Sequence, residues 1–365
     1  MRKIIIMIQV TKPFLPPVEE YESYIRDIWQ RQWLTNNGPL VNELELRLKN
    51  YLGVPHILFV GNGTIALQLA IKALQLKGEI ITTPFSFIAT TSSTLWQECK
   101  PVFADIDRDT LNIDPAGIEA VITPATTAIL ATHVFGNPCN IEAIDGIAKK
   151  HNLKVIYDAS HCFGTKYKGR SVFSYGDVST TSFHATKVFH TIEGGAVFVQ
   201  DPDLLKTMAY MRNFGFDGPE HFFCVGINAK NSEFHAAMGL VNLKYADEIL
   251  KKRKELFLYY SDSLAGLDMT MQKIQCDSEY NYSYFPIVLP SEEIVKKMEA
   301  YLNANLIFPR RYFYPSLNTL HFVQNSECPV SQCISSRIIC LPMHHLLTTE
   351  EANFVIRILL RAQNY

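Results

Sequence analysis

The sequence predicts an α/β protein, with a large domain on a mostly parallel sheet followed by a smaller α+β C-terminal domain. Three observations predict it. Between about residues 55 and 200, short apolar, β-branched runs alternate with stretches whose apolar residues recur at helical spacing. That is the pattern of strands covered by helices on both faces. After residue 240 the texture changes to long amphipathic stretches. The chain has 365 residues, 47% of them hydrophobic, enough apolar material for a large core and a second, smaller one.

Taken in order, Met1 to Val10 is an apolar stretch behind Arg2 and Lys3, interrupted by Gln9 and followed by Thr11-Lys12-Pro13. It lacks a small-residue cleavage site and reads as a short leader or a first strand, with Met7 a second candidate start. Ile57-Leu58-Phe59-Val60 reads as a strand, and Ile65 to Leu76 as the helix after it. Further strands are expected at Glu79 to Thr83, Pro101 to Ala104, Ala128 to Thr132, Lys154 to Tyr157 and Gly195 to Val199, with helices at Ile141 to His151 and Pro202 to Met211. Leu240 to Leu267 is read as one long Lys-rich helix joining the two domains. Tyr282 to Leu289 is read as a strand and Ser291 to Ala304 as a helix. Glu350 to Ala362 is the last helix, capped by Thr348 or Thr349. The domains are accordingly residues 1–240, carrying the N-terminal segment, and 241–365.

The formal net charge of -2 gives no electrostatic ground for a nucleic-acid or membrane-surface partner. No apolar run approaches the roughly 20 residues of a spanning helix, and a cytoplasmic protein is expected. The eight cysteines include no C-x-x-C pair, and His344-His345 are adjacent and point apart, so reduced thiols and no metal site are expected.

Three segments carry chemistry. In Ser182-Phe183-His184-Ala185-Thr186-Lys187, followed by Glu193-Gly194-Gly195, a lysine stands in apolar company just before a buried strand. Desolvation lowers an amine pKa and makes the neutral nucleophile available for an imine, while a surface lysine on a loop is the competing reading. Asp158 ends the strand reading Val155-Ile156-Tyr157, the end at which α/β proteins place ligands. A helix N-cap is its other reading. Gly61-Asn62-Gly63-Thr64 lies between a strand and a helix, as an anion site or as a plain tight turn.

The order and separation of these segments resemble the DegT/StrS-type sugar aminotransferases, a branch of the fold-type I pyridoxal 5′-phosphate (PLP) enzymes with an aspartate aminotransferase-like architecture. The resemblance runs from Trp33-Leu34-Thr35-Asn36-Asn37-Gly38-Pro39 to the last helix. It is carried by Ser-Phe-x-x-x-Lys with Glu-Gly-Gly at 182–195, by Thr83-Pro84-Phe85-Ser86-Phe87-x-Ala89-Thr90 and by His133-Val134-Phe135-Gly136. Asp158-Ala159-Ser160-His161 and Gly226-Ile227-Asn228-x-x-x-x-Glu233 carry it further. It implies that Lys187 is the Schiff-base lysine and proton shuttle, and that Asp158 pairs with the pyridine nitrogen. His161 is implied near the ring hydroxyl, and Gly63, Thr64 and Ser182 on the phosphate. Phe87 is implied to stack on the ring, and Asn228 to reach the phosphate of the neighbouring subunit, which makes a homodimer with shared active sites.

The chain departs from the family at Asn36-Asn37, where Thr-Gly-Pro or Thr-x-Gly-Pro is usual, at Lys230-Asn231, where Arg-Met is common, and at Ile192, where Gly is common. Relatives with histidine in place of the lysine are dehydratases, and Lys187 argues against that activity.

The implied reaction moves an amino group from L-glutamate to a nucleotide-linked keto-deoxy sugar, the cofactor cycling through pyridoxamine 5′-phosphate. The wording around Asn36 and Lys187 resembles members that aminate C4 of dTDP-4-keto-6-deoxy-D-glucose for surface polysaccharide. Amination at C3 of a related 3-keto sugar is the alternative, and a PLP- or sugar-binding regulator is the non-enzymatic one. An NAD oxidoreductase would need a Gly-rich fingerprint after its first strand, and none is found. Arg310, Arg311 and Lys230 are candidates for the pyrophosphate, or ordinary solvated charges. Tyr312, Tyr314 and His321 are candidates for the sugar pocket, or packing residues.

Overall fold

The computed structural model describes residues 7–323 and 326–363. Seven strands form the main sheet. They are β1 (His56–Val60), β2 (Glu79–Thr82), β3 (Lys100–Phe103), β4 (Thr126–Thr132), β5 (Lys154–Asp158), β6 (Val178–Ser182) and β7 (Gly195–Val199), in the spatial order β1-β7-β6-β5-β4-β2-β3. Neighbours are parallel except β7, which runs antiparallel to both β1 and β6. Successive residues enter opposite cores. Ile57 and Phe59 of β1 pack in the cluster on one face, and Leu58 and Val60 in the cluster on the other. Burial on both faces is why these strands are continuous apolar runs instead of alternating ones.

The C-terminal region builds a separate core on a three-stranded antiparallel sheet, in which Phe285–Val288 lies between Thr270–Met271 and Ile338–Leu341. The N-terminal segment joins this core. Ile8–Gln9 pairs in parallel with Ile307–Phe308, and Ile8 is buried there. The strand half of the opening segment's reading therefore falls on residues 8–9, and residues 1–6 lie outside the described residues.

Two expectations are refined by the structure. The helix predicted from Leu240 to Leu267 is two helices, Glu233–Leu243 and Ala246–Ser263. The break at Lys244-Tyr245 has a side-chain cause, because both residues turn to Glu20 of the N-terminal helix Val18–Arg31. Asn242, 2% exposed, also donates to the His190 carbonyl at 2.9 Å, fixing the end of the first helix. The second helix starts in the sheet's core at Ala246 and reaches the C-terminal core at Tyr260. The last helix, Thr349–Gln363, begins with a capping box, Thr348 Oγ1 accepting from the Glu351 amide while Glu351 accepts from the Thr348 amide.

Asn36-Asn37-Gly38-Pro39 is explained by its own backbone and by the distant Glu233. Asn36 and Asn37 take φ of +62° and +60°, a region in which Asn is several-fold enriched. A side chain at Gly38 would come within 2.5 Å of Glu233, and Pro39 opens the helix Pro39–Leu52. Glu233 is fully buried and accepts from the Leu40 and Val41 amides at 3.0 Å each, with Arg31 3.6 Å away. A carboxylate on two first-turn amides at a helix N-terminus is a charge-assisted cap.

Glu233→Ala is expected to destabilise the protein by about 2–4 kcal/mol, the loss of two hydrogen bonds to a charged group, and Glu233→Gln by less. Thermal unfolding of the variants checks this, and an unchanged midpoint in Glu233→Ala would remove the cap from the account.

Candidate active site

The C-terminal ends of the parallel strands open onto a cavity of about 350 Å³. Each end delivers a polar group: Thr132 from β4, Asp158 from β5 and Ser182 from β6, with Ser86 from the loop after β2 and Gly63 from the turn after β1. Asp158 is 4% exposed. Its Oδ2 accepts from Thr90 Oγ1 at 2.9 Å, and its Oδ1 from the Ser160 hydroxyl at 2.6 Å and the Ser160 amide at 3.1 Å. Thr90 lies 2.8 Å from Ser86 Oγ, itself 3.0 Å from Thr132 Oγ1. This buried chain of hydroxyls fixes the carboxylate. The Ser160 bonds are a local turn of the kind Asp favours, and no helix follows Asp158, so it is not an N-cap.

Lys187 lines the same cavity, partly buried. Burial of the amine lowers its pKa from 10.5 to about 8, against the opposing pull of Asp158. About one amine in ten is then neutral at pH 7, hundreds of times the share of an unperturbed lysine.

Across from it, the helix Gly63–Ala73 begins at the cavity wall. Asn62 caps the Ile65 amide at 2.9 Å, which leaves the Gly63 and Thr64 amides at the mouth of the helix dipole. A side chain at Gly63 would meet Ser182 Cβ at 3.0 Å. The paired glycines have the same cause. A side chain at Gly195 would lie 2.5 Å from the Asn62 carbonyl carbon, and one at Gly194 would lie 2.1 Å from Thr191 Oγ1. The start of β7 and the turn after β1 touch backbone to backbone.

His161, 8% exposed, has its pKa held well below the usual range by burial, with the Lys187 charge adding to the shift. Its Nδ1 accepts from the Phe135 amide at 3.2 Å, so the neutral ring carries its proton on Nε2. Its ring lies parallel to Phe135 and Phe313, with centroids 6.2 and 5.9 Å away. His133, in contrast, is wholly buried against Tyr157 at 4.6 Å and is a packing residue.

Residues 17–360 match the model of the DegT/DnrJ/EryC1/StrS aminotransferase family. The chain belongs to that family. It is 44% identical over 356 residues to a dTDP-4-amino-4,6-dideoxy-D-glucose transaminase of Shigella dysenteriae, covering 95% of this chain and 96% of that one. It is 38% identical over 365 residues to a protein of the same name from Escherichia coli, covering 97% and 98%. Among solved structures, DesI in the presence of its TDP-sugar product superposes with a TM-score of 0.93 at 32% identity, over 98% of this chain and 93% of that one.

Membership of the family makes PLP the cofactor, and the cavity fits it. An anion cradle at a helix N-terminus, a buried carboxylate for a ring nitrogen and a lysine with a lowered pKa are the three groups that such a molecule requires. Among the described residues no group of three or more His, Cys, Asp or Glu could hold a metal, and no helix is long and apolar enough to cross a membrane.

The cavity gathers Gly63, Thr64, Phe87, Asp158, His161, Ser182 and Lys187, and also Arg310 and Tyr312. It does not gather Asn228, Arg311, Tyr314 or His321. Arg311 donates to the Ser336 carbonyl at 2.9 Å, lies 3.3 Å from Glu292 and covers the Tyr314 ring at 3.7 Å. Arg311 and Tyr314 therefore face each other outside the lining of this cavity. His321 is exposed and packs edge-on to Phe322. Lys230, also outside the lining, sits 4.4 Å over the Phe214 ring.

Sequence reasoning missed Thr90, Ser86 and Ser160 as supports of Asp158, although all three stand inside quoted motifs. It also missed Tyr284 and Phe313, which line the cavity from the C-terminal region. Arg253 has the sequence context of a solvated helix residue, yet it is 4% exposed and donates to the Met343 and Ser283 carbonyls.

In the cofactor-free enzyme, the rate at which Lys187 captures PLP is expected to rise with pH around a midpoint near 8, because the neutral amine is the nucleophile. A midpoint near 10.5 would remove the effect of burial. Thr90→Val leaves one oxygen of the buried carboxylate without its donor and should weaken PLP binding about tenfold. Equilibrium dialysis checks it, and an unchanged Kd would detach Thr90 from the cofactor site.

Proposed function

We propose that this enzyme transfers the amino group of L-glutamate to C4 of dTDP-4-keto-6-deoxy-D-glucose, giving dTDP-4-amino-4,6-dideoxy-D-glucose for surface polysaccharide. The observation that carries the reading is the product named for two relatives aligned along nearly the whole chain. The same names favour C4 over C3 and an enzyme over a regulator.

Bound in the cavity, PLP supplies a carbonyl that accepts the donor's amino group and a ring that withdraws electrons from the carbon losing its proton. Asp158, fixed by Ser160 and Thr90, would hold the proton on the ring nitrogen. His161 Nε2–H would donate to the ring hydroxyl, and the Gly63 and Thr64 amides with Ser182 Oγ would hold the phosphate. Lys187 Nζ would be the group that takes the proton from the donor's Cα and carries it to the cofactor's side. In the sugar half it carries a proton the other way, to C4 of the sugar. A lysine near pKa 8 suits both directions close to neutral pH.

The active form in this reading is a cytoplasmic homodimer. Phe214, Phe222, Phe223, Val225 and Ile227 are all exposed on the stretch leading to Asn228. An apolar face of this kind supports a two-fold contact that turns Asn228 toward the neighbouring cavity.

Purified protein with PLP should show the visible absorption band of the bound cofactor, bleaching with glutamate and returning with dTDP-4-keto-6-deoxy-D-glucose. Lys187→Ala should slow the bleaching by at least about 100-fold. Return of the band only with a 3-keto isomer would move the reaction to C3. Bleaching at the wild-type rate in Lys187→Ala would overturn the lysine's role.

A further inference from the structure

Two groups of the cavity, Glu193 and His184, take no part in the steps above. They face each other, with His184 Nε2 3.5 Å from Glu193 Oε1. The other imidazole nitrogen is engaged by its own turn. Nδ1 lies 2.9 Å from Thr186 Oγ1 and accepts from the Thr186 amide at 3.3 Å. A neutral ring whose Nδ1 accepts carries its proton on Nε2, so His184 presents a donor to the carboxylate. The His184 carbonyl accepts from the Lys187 amide at 2.9 Å, which ties the pair to the turn that carries the reactive amine.

The Glu193 backbone is fixed as well. Its carbonyl accepts from Thr191 Oγ1 at 2.8 Å and from Asn231 Nδ2 at 2.9 Å. The residue before it, Ile192, has φ of +69° and its amide bonded to His190 Nδ1 at 3.1 Å. A β-branched residue in the left-handed region is an outlier, and such conformations persist where a neighbouring group must be held in place.

A carboxylate only accepts hydrogen bonds. The donor's own carboxylates and a diphosphate offer it like charge, which it repels. A keto sugar offers hydroxyls. A pyrimidine base also has an N–H, but the pentose and diphosphate separate it from the reacting carbon, which must lie within reach of Lys187. We infer that Glu193, held by His184, accepts a hydrogen bond from the ring hydroxyl next to the carbon that is aminated, and thereby selects the sugar. This rests on the proposed function. Glu193 is a specificity residue, and His184 a positioning residue that acts through it.

The test uses the PLP-loaded enzyme and follows the two half-reactions separately. Glu193→Ala is expected to lower kcat/KM for dTDP-4-keto-6-deoxy-D-glucose about 10- to 100-fold, with the glutamate half-reaction unchanged. The 3-deoxy analogue should lose as much on the wild type and nothing more on Glu193→Ala, the signature of one shared contact. His184→Gln, whose amide donates to Glu193, should retain the sugar half that His184→Ala loses. Equal losses in both half-reactions, additive losses with the analogue, or a dissociated dimer in Glu193→Ala would overturn the inference. A wild type that turns over no keto-sugar nucleotide would instead overturn the proposed function. Wild-type sugar kinetics in Glu193→Ala would sink this inference alone.

Discussion

The cavity is organised around one buried carboxylate, Asp158, at the end of the central strand β5. An isolated carboxylate in such a place would be strongly destabilising. Here it has three hydrogen bonds, two from Ser160 and one from Thr90. Thr90 is in turn oriented through Ser86 and Thr132. These residues come from β4, from β5 and the turn after it, and from the loop and helix after β2. The carboxylate is therefore fixed only when the strands are in register. A slip of one residue would turn every side chain of a strand to the opposite face and leave the charge without partners.

Lys187 experiences the other side of the same constraint. Desolvation pulls its amine toward neutrality, and Asp158 pulls it back. The balance leaves an amine that can be neutral or protonated near pH 7, as the proposed proton transfers require. Moving the lysine to the surface would return its pKa toward 10.5. Moving it against the carboxylate would make it a permanent ion-pair partner.

Legibility in the sequence followed distance along the chain. The cradle around Gly63, the Asp158 strand end and the Lys187 segment are each local, and short motifs carried them. The two Asn residues before Gly38 were legible only as a departure, and their cause, the cap that Glu233 places on Pro39–Leu52, spans almost 200 positions. The break at Lys244-Tyr245 was invisible because periodicity continues through it, while the cause is Glu20 on another helix. Arg310, Arg311, Tyr312 and Tyr314 were indistinguishable by residue type. Which of them faces the cavity is decided by Glu292 and the Ser336 carbonyl, which capture Arg311, and no spacing rule reports that.

The two sides of the cavity also differ in how they are built. At the floor of the cavity Asp158 and His161 are buried and have fixed partners. Other lining groups are open to solvent: Phe87 is 57% exposed, and His184 and Glu193 are exposed as well. A cofactor that stays bound through many cycles is served by rigid, prearranged contacts. Two substrates of different shape that must enter in turn need an open mouth. That division explains why the local motifs around Asp158 and Lys187 are easy to read, while the groups proposed to choose the sugar depend on turns such as the one holding Glu193.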